Sequence, residues 1–290
     1  RSMFVIDVPF FSLDQIYNSY IAPRWIKLSD SKYIIIHEDK AIKVEQTKER
    51  LIMNCTEDDF FNIWFEYFDL RVDYSEVNRN IKQFHRKFRA LSNRGNGIHL
   101  INQNEFEMFV YARLAQNLGF NKAREIMGRL ANDYGKQRKN TFGSGNNITW
   151  YEWPSPEMLL DKLDKEKDRG TPIKSFLRKL CKAILYDDYS MNENGNDLFD
   201  LLFLRDLNEF PSIEVSETIS KNFKCDIDEF KEINLEGLKE KGILYFYILH
   251  HIKNPPKEST KGGAEMGLVD NIKKEAQGNR TKIQSSDAAQ

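Results

Sequence analysis

Residues 191–200, MNENGNDLFD, combine a turn signal with a helix start. Asn194 and Gly195 tolerate left-handed backbone angles, and an apolar helical pattern follows at once. The start of a helix exposes backbone N–H groups and a partial positive charge, so such a turn is suited to hold a phosphate. Asp197 in the first turn and Glu193 before it oppose this use, because both bring negative charge to the place of the anion. The stretch therefore predicts a phosphate-binding shape without the charge that phosphate binding needs.

Basic side chains form a second candidate site. The run KQFHRKFR at 82–89 places Arg86 and Arg89 on or near one helix. Arg138 lies in the Gly, Asn and Lys-rich segment 134–149, which we expect to be a long loop. Together these residues could contact a phosphate or an acidic protein surface. The alternative is a solvated helix face, which is the more common role of such a run.

Aromatic side chains offer a third kind of chemistry, stacking on a planar base. Tyr20 lies between two β-rich runs, and Tyr245 and Phe246 lie in an apolar helix predicted at 235–252. A run of aromatic residues on a helix usually faces the core, so burial in the core is the alternative for the last two.

Composition limits the classes of partner. The chain has 290 residues, a net charge of -1 and a pI near 6.6, so no overall field draws it to nucleic acid or to an anionic membrane. The three cysteines are far apart and the histidines lack ligand spacing, so we predict no disulfide framework, no metal and no cofactor. Apolar runs are shorter than the ~20 residues of a membrane span. We therefore expect a cytoplasmic protein with no membrane partner.

Short runs rich in β-branched and aromatic residues occupy the first 55 positions and predict strands. Brief polar turns separate them, which is typical of antiparallel hairpins. The runs are 4–8, 24–28, 32–38, 41–46 and 50–55. From Glu57 onward the apolar period is helical. The sequence therefore predicts an α+β fold, in which an N-terminal antiparallel β-sheet is followed by an all-helical body.

Capping residues mark where the helices should begin. Thr56 precedes three acidic residues, and Asn104 precedes Glu107, with which it can form a capping box. Asn121 starts another apolar period. Ser or Thr followed by Pro is a strong start signal and occurs at Ser155 and Thr171.

The order of several segments resembles the 8-oxoguanine DNA glycosylase family of the helix-hairpin-helix superfamily. The resemblance spans most of residues 3 to 252. The segments are DVPFFSLDQIYNS followed by PRW near the start, NCTEDDFFNIWFEYFDLRVDYSEV at 54–77, GIHLINQNEFEMFVYARLAQN at 97–117 and YEWPSPEMLL at 151–160. It implies a sheet-plus-helix domain at 3–95 and a helical helix-hairpin-helix glycosylase-like domain at 96–255. The polar composition of the tail at 256–290 indicates either a disordered segment or one that docks a partner.

The resemblance places altered residues at the catalytic positions. In this family a lysine at the start of the helix after a Gly-x-Gly hairpin attacks the sugar, and Asp197 stands at that lysine. A carboxylate cannot form the iminium that the lyase reaction requires, so we expect a degenerate catalytic motif without lyase activity. Glu214, in the stretch EFPSIEV, stands near the family's catalytic aspartate. A single carboxylate can still assist hydrolysis, so a monofunctional glycosylase that uses Glu214 is an alternative.

The family's recognition and wedge positions are altered as well. Tyr20 stands at the glycine whose carbonyl senses 8-oxoguanine, and Lys122 replaces an arginine that reads the opposite cytosine. Asn117 keeps the first of the family's three wedge asparagines. Thr171 and Pro172 stand where a tyrosine and an arginine enter the duplex.

These residues support three functional hypotheses. The first is a pseudoenzyme that recognises a modified guanine-like base, or a macromolecule carrying one, through Tyr20, Asn117, Tyr245 and Phe246. Divergent proteins that resemble this family are accessories in bacterial anti-phage operons beside enzymes of 7-deazaguanine chemistry, which favours a deazaguanine ligand. The second is the monofunctional glycosylase. The third is a protein-interaction subunit without a ligand, whose tail binds a partner protein.

Overall fold

The chain begins with a five-stranded antiparallel sheet. The computed structural model describes residues 2–142, 147–166, 171–194 and 233–253. The strands are β1 (Phe4–Asp7), β2 (Ile26–Ser29), β3 (Lys32–His37), β4 (Lys40–Thr47) and β5 (Arg50–Met53). Their order across the sheet is β1-β5-β4-β3-β2, and Tyr33 pairs with Val44 near its centre. The predicted strands and the predicted α+β class are confirmed.

Helices form most of the remaining described structure. Within the described part of the chain they are α1 (Leu13–Asn18), α2 (Glu57–Asp59), a π-helical turn (Phe60–Trp64), α3 (Phe65–Tyr67), α4 (Tyr74–Phe84), α5 (Phe88–Gly95), α6 (Glu105–Leu118), α7 (Phe120–Tyr134), α8 (Pro156–Lys165), α9 (Pro172–Tyr186), α10 (Met191–Asn194) and α11 (Lys241–Lys253). No described helix is long and apolar enough to cross a lipid bilayer.

The predicted caps hold most helix starts in place. Thr56, Asn104, Ser155 and Thr171 each accept a backbone N–H of the following first turn. The start of α7 differs by two positions, because its N-cap is Gly119 rather than Asn121. Gly119 has φ +82, a left-handed angle that lets the chain end α6 and begin α7 without an intervening loop.

The C-terminal helix α11 lies in the core. Residues 242–250 are all buried, and the helix packs on α5. Close approach is possible because Gly95 has no side chain: a Cβ at that position would lie 2.7 Å from Cδ1 of Tyr247. The hydroxyl of Tyr247 accepts a hydrogen bond of 3.2 Å from Asn78 on α4. A helix distant in sequence therefore completes the packing of α4 and α5.

Two local expectations are wrong. Glu107 does not reach back to cap α6, because its carboxylate pairs with Arg24, at 2.5 Å from Nε. Segment 134–149 is not a loop, since β6 (Gln137–Thr141) and β7 (Asn147–Tyr151) pair as an antiparallel hairpin. The tail at 256–290 and the residues Gly195, Asp197 and Glu214 lie outside the described residues.

Candidate base and nucleic-acid site

A groove of about 470 Å³ lies between α6 and α9. Its lining combines three aromatic rings, aliphatic side chains, one guanidinium and one amide: Phe109, Arg113, Leu114, Asn117, Leu118, Pro172, Ile173, Phe176 and Tyr189. We call it the α6–α9 groove. Its size lies in the range of sites for small organic ligands.

Helix α6 supplies the polar groups of this groove. Arg113 and Asn117 are four residues apart, so both lie on the same face of the helix. The amide nitrogen of Asn117 donates to the carbonyl oxygen of Arg113 at 2.9 Å. The guanidinium of Arg113 lies 5.4 Å from the centre of the Phe109 ring, a cation–π contact. The planar guanidinium of Arg113 is thus held against the ring of Phe109.

Arg113 also contacts the last described residue of the stretch 191–200. Its Nη2 donates to the carbonyl oxygen of Asn194 at 2.7 Å. Asn194 is the last residue of α10, whose first turn is capped by Ser190, the acceptor of the Glu193 N–H at 3.3 Å. Asn194 is therefore held in a helical turn against α6.

The start of α9 forms the opposite wall. Thr171 caps this helix by accepting the N–H of Lys174, which sets Pro172 in the first turn. Pro172 lines the same groove as Asn117 and Leu118, although more than 50 residues separate them in sequence. Leu118 is 44% exposed at the rim. The end of α6 and the start of α9, to which the resemblance assigned wedge positions, therefore line one groove, and the wedge role itself stays a prediction.

Tyr20 lies in a separate polar cluster and is buried. Its backbone has φ +63, and its carbonyl oxygen accepts the hydroxyl of Tyr111 at 2.8 Å. Its own hydroxyl donates to Asn121 at 2.5 Å, and the guanidinium of Arg124 lies 4.4 Å from its ring. Both polar groups of Tyr20 are thus engaged inside the protein.

Comparison with known proteins identifies the scaffold. Residues 5–109 match the family described as 8-oxoguanine DNA glycosylase, N-terminal domain. This match covers the N-terminal part of the chain. The predicted resemblance to the family is thereby confirmed, while no curated protein matches the sequence.

Solved structures extend the glycosylase likeness over most of the chain. MBOgg1 in complex with a low-affinity DNA ligand is 19% identical, with a TM-score of 0.68 over 87% of this chain and 96% of that one. The Clostridium acetobutylicum 8-oxoguanine glycosylase/lyase, solved with DNA containing cytosine opposite 8-oxoguanine, is 17% identical, with a TM-score of 0.66 over 87% and 97%. The Archaeoglobus fulgidus 3-methyladenine DNA glycosylase is 16% identical, with a TM-score of 0.61 over 86% and 98%. At these identities the likeness shows a shared glycosylase fold.

Within this glycosylase fold, the predicted base-binding residues do not form one cluster. Asn117 lines the α6–α9 groove and is exposed. Tyr245 and Phe246 are 2% and 1% exposed on α11, and their rings lie 6.1 Å apart in the core. A stacking role for these two stays a prediction.

The predicted contact residues also differ in their surroundings. Arg86 and Arg89 are exposed at the junction of α4 and α5. Lys122 pairs with Glu125 at 2.8 Å on the surface of α7. Arg138 pairs with Glu152 within the β6–β7 hairpin, so its charge is already matched.

Sequence reasoning missed three residues of the groove. Arg113 could have been found, because it stands four residues before Asn117 on a recognised helix. Phe176 lies within the apolar pattern of α9 and Tyr189 lies beyond the end of that helix, so no local pattern connects either of them with α6. Their role depends on how α9 packs.

Proposed function

We propose that this protein recognises a modified guanine-like base, free or within a nucleic acid, on an 8-oxoguanine glycosylase fold that lacks lyase chemistry. One observation carries the proposal. The two segments that correspond to the family's wedge positions converge on the α6–α9 groove, with Asn117 on one wall and Pro172 on the other.

The lining of this groove suits a flat heterocycle. Phe109, Phe176 and Tyr189 offer ring faces, and stacking of a base on such a ring contributes about 1–3 kcal/mol. Arg113 and Asn117 supply hydrogen-bond donors and an acceptor at its edge. Two of the similar solved structures contain DNA ligands, which supports nucleic acid as the carrier of the base.

The residues at the catalytic positions favour binding over cleavage. Asp197 lacks the amine that a covalent lyase intermediate requires. Glu193 adds a negative charge beside the turn, where a DNA phosphate would be repelled. Loss of the lyase amine alongside a retained scaffold is consistent with a pseudoenzyme that reads a base.

The class of base and its biological setting belong to the same proposal. Tyr20 replaces the glycine expected to sense 8-oxoguanine, and its carbonyl already accepts a hydrogen bond from Tyr111. A different guanine derivative, such as a 7-deazaguanine, fits this change. An accessory role in cytoplasmic anti-phage defence is the setting that we propose.

A binding screen tests the proposal. Purine and 7-deazapurine bases and nucleosides are added to the purified protein, and the melting temperature and the dissociation constant are measured. At least one guanine derivative should bind. Phe176→Ala should raise its dissociation constant about 5- to 150-fold, the equivalent of one lost stacking contact. Asn62→Ala, at an exposed asparagine outside the groove, is the matched control and should bind as the unchanged protein does.

A second assay separates recognition from catalysis. The protein is incubated with duplexes that contain 8-oxoguanine or 7-deazaguanine, with and without borohydride. We expect neither a trapped covalent complex nor an abasic product. A trapped complex refutes the absence of lyase chemistry, whereas an abasic product that Glu214→Gln abolishes establishes the monofunctional glycosylase. Absence of binding to every base in the screen leaves the protein-interaction subunit.

A further inference from the structure

A second groove, of about 530 Å³, lies on the face of α7 that is turned toward the sheet. Its lining comes from α1, from the segment that enters β2, from α7 and from β7. The residues that matter for its chemistry are Tyr17, Trp25, Lys27, Arg124, Gly128 and Trp150. We call it the α7–β7 groove, and it shares no lining residue with the α6–α9 groove.

Arg124 brings an unmatched positive charge to this groove. Its guanidinium lies 4.3 Å from the centre of the Tyr17 ring and 4.4 Å from that of Tyr20, and its Nη2 donates to the carbonyl oxygen of Tyr17 at 2.7 Å. Its Nε–H is buried and has no acceptor among the described residues, and no carboxylate in the described ranges pairs with it. The aromatic stacking fixes the cation in place, so little further ordering is needed when an anion binds.

Trp150 gives the groove an indole ring. Its side chain is 2% exposed in the wall of the groove, and its indole N–H is enclosed by the protein, with no acceptor within the described part of the chain. The ring of Trp25 lines the same groove. A cation and two indole rings on one groove suit a ligand that combines a negative charge with a planar ring.

Gly128 leaves space in the groove because it has no side chain. It lies in the middle of α7, where glycine lowers helix stability, and packing does not require it, because a Cβ at this position would meet no atom within 4 Å. Ala131, one turn later on the same face, is also small. Gly128 and Ala131 thus form a strip of small residues in the lining of the groove, which leaves room for a planar group.

The remaining charges allow an anion to enter. Arg24 is neutralised by Glu107, and Lys27 pairs with Asp30 at the exposed edge of β2. The carboxylate of Glu125, at the rim, is matched by Lys122 at 2.8 Å and Arg129 at 3.6 Å. Among the described residues that line the groove, Arg124 is thus the cation without a carboxylate partner.

We propose that the α7–β7 groove binds a planar anion of nucleotide size, of the chemical class of nucleoside 5′-monophosphates. The ring lies on the strip formed by Gly128 and Ala131, and the phosphate pairs with Arg124. The ligand is a soluble effector, distinct from the base bound in the α6–α9 groove. This inference does not depend on the function proposed for that groove.

Calorimetric titration of the full chain with AMP, GMP, CMP and UMP, and with the uncharged nucleosides, tests it. At least one nucleotide should bind at a single site with a dissociation constant of about 1 mM or lower. The corresponding nucleoside should bind at least 10-fold more weakly, and added salt should lower the affinity for the nucleotide. Gly128→Phe, which fills open space, should abolish binding, whereas Gly128→Ala and Asn117→Ala should preserve it.

The inference is overturned by any of four results. Three of them are no binding by any of the four nucleotides, equal binding of a nucleotide and its nucleoside, and retention of binding by a folded Gly128→Phe variant. Loss of nucleotide binding in Asn117→Ala also overturns it, since it assigns the nucleotide to the α6–α9 groove. Arg124→Lys keeps the positive charge but removes the planar guanidinium. It should weaken binding of the nucleotide about 10-fold more than binding of the nucleoside.

Discussion

Replacing Arg24 by methionine should lower the free energy of unfolding by about 3–5 kcal/mol. The side chains of Arg24 and Glu107 are 5% and 9% exposed, so water barely screens their pairing. Nε and Nη2 of Arg24 donate to the two carboxylate oxygens at 2.5 and 3.0 Å, and Nη1 donates to the carbonyl of Tyr151 at 2.9 Å. Methionine fills much of the arginine volume but leaves a buried carboxylate without a cation, and that unmatched charge dominates the cost.

A double-mutant cycle isolates this cost. Arg24→Met, Glu107→Leu and the double variant are compared by urea denaturation monitored by tryptophan fluorescence. Because the double variant replaces both charges with apolar groups, it should cost at least about 2 kcal/mol less than the sum of the single variants. The matched control is the exposed pair of Lys165 and Asp161, 73% and 62% exposed at 2.6 Å, where Lys165→Met should cost less than about 1 kcal/mol.

Two outcomes contradict this reasoning. One is an Arg24→Met variant as stable as the Lys165→Met control, which means that the buried carboxylate finds another partner. The other is strict additivity in the cycle, which means that the two side chains act on stability independently. A changed denaturant slope in any variant indicates an altered unfolded or native state and removes that variant from the cycle.

The remaining predictions concern two glycines and a histidine. Gly95→Ala should lower the free energy of unfolding by about 1–3 kcal/mol, because the new Cβ overlaps the Tyr247 ring. Gly128→Ala should raise it by up to about 1 kcal/mol, because its Cβ enters open space in a helix. Urea denaturation measures both variants, and equal effects contradict the packing of α5 on α11. Burial lowers the pKa of His99 to about 4, although the carbonyls that face its two ring nitrogens act in the opposite direction. In the unfolded chain the His99 imidazole takes up a proton near pH 6.5, whereas in the folded protein it stays neutral down to about pH 4. The neutral His99 therefore contributes its full share to the free energy of unfolding above pH 6.5, and this share is smaller by about 2 kcal/mol at pH 5. Unfolding free energies at pH 7 and pH 5 for the unchanged protein, His99→Gln and the control His85→Gln should show a smaller decrease in the His99 variant alone.

The strands, most helix starts and the fold class were readable from the sequence because their signals are local. Runs rich in β-branched and aromatic residues predicted β3 and β4, and Thr56 and Thr171 cap the expected helices. These patterns act over a few residues, so the neighbouring sequence contains most of the information. The family resemblance assigned wedge positions to Asn117 and Pro172 one segment at a time, and that role stays a prediction.

Pairings between distant segments were decided by the tertiary structure alone. Glu107 has the sequence context of a capping box, yet its carboxylate pairs with Arg24, 83 residues away. A buried guanidinium without a carboxylate lowers the free energy of unfolding more than a helix N–H that lacks a side-chain cap. The α6–α9 groove likewise exists only once α9 packs beside α6. The sequence by itself determined most of the helices and strands, the β6–β7 hairpin excepted. The partners of buried charges and the walls of both grooves followed from long-range packing, which no local pattern encodes.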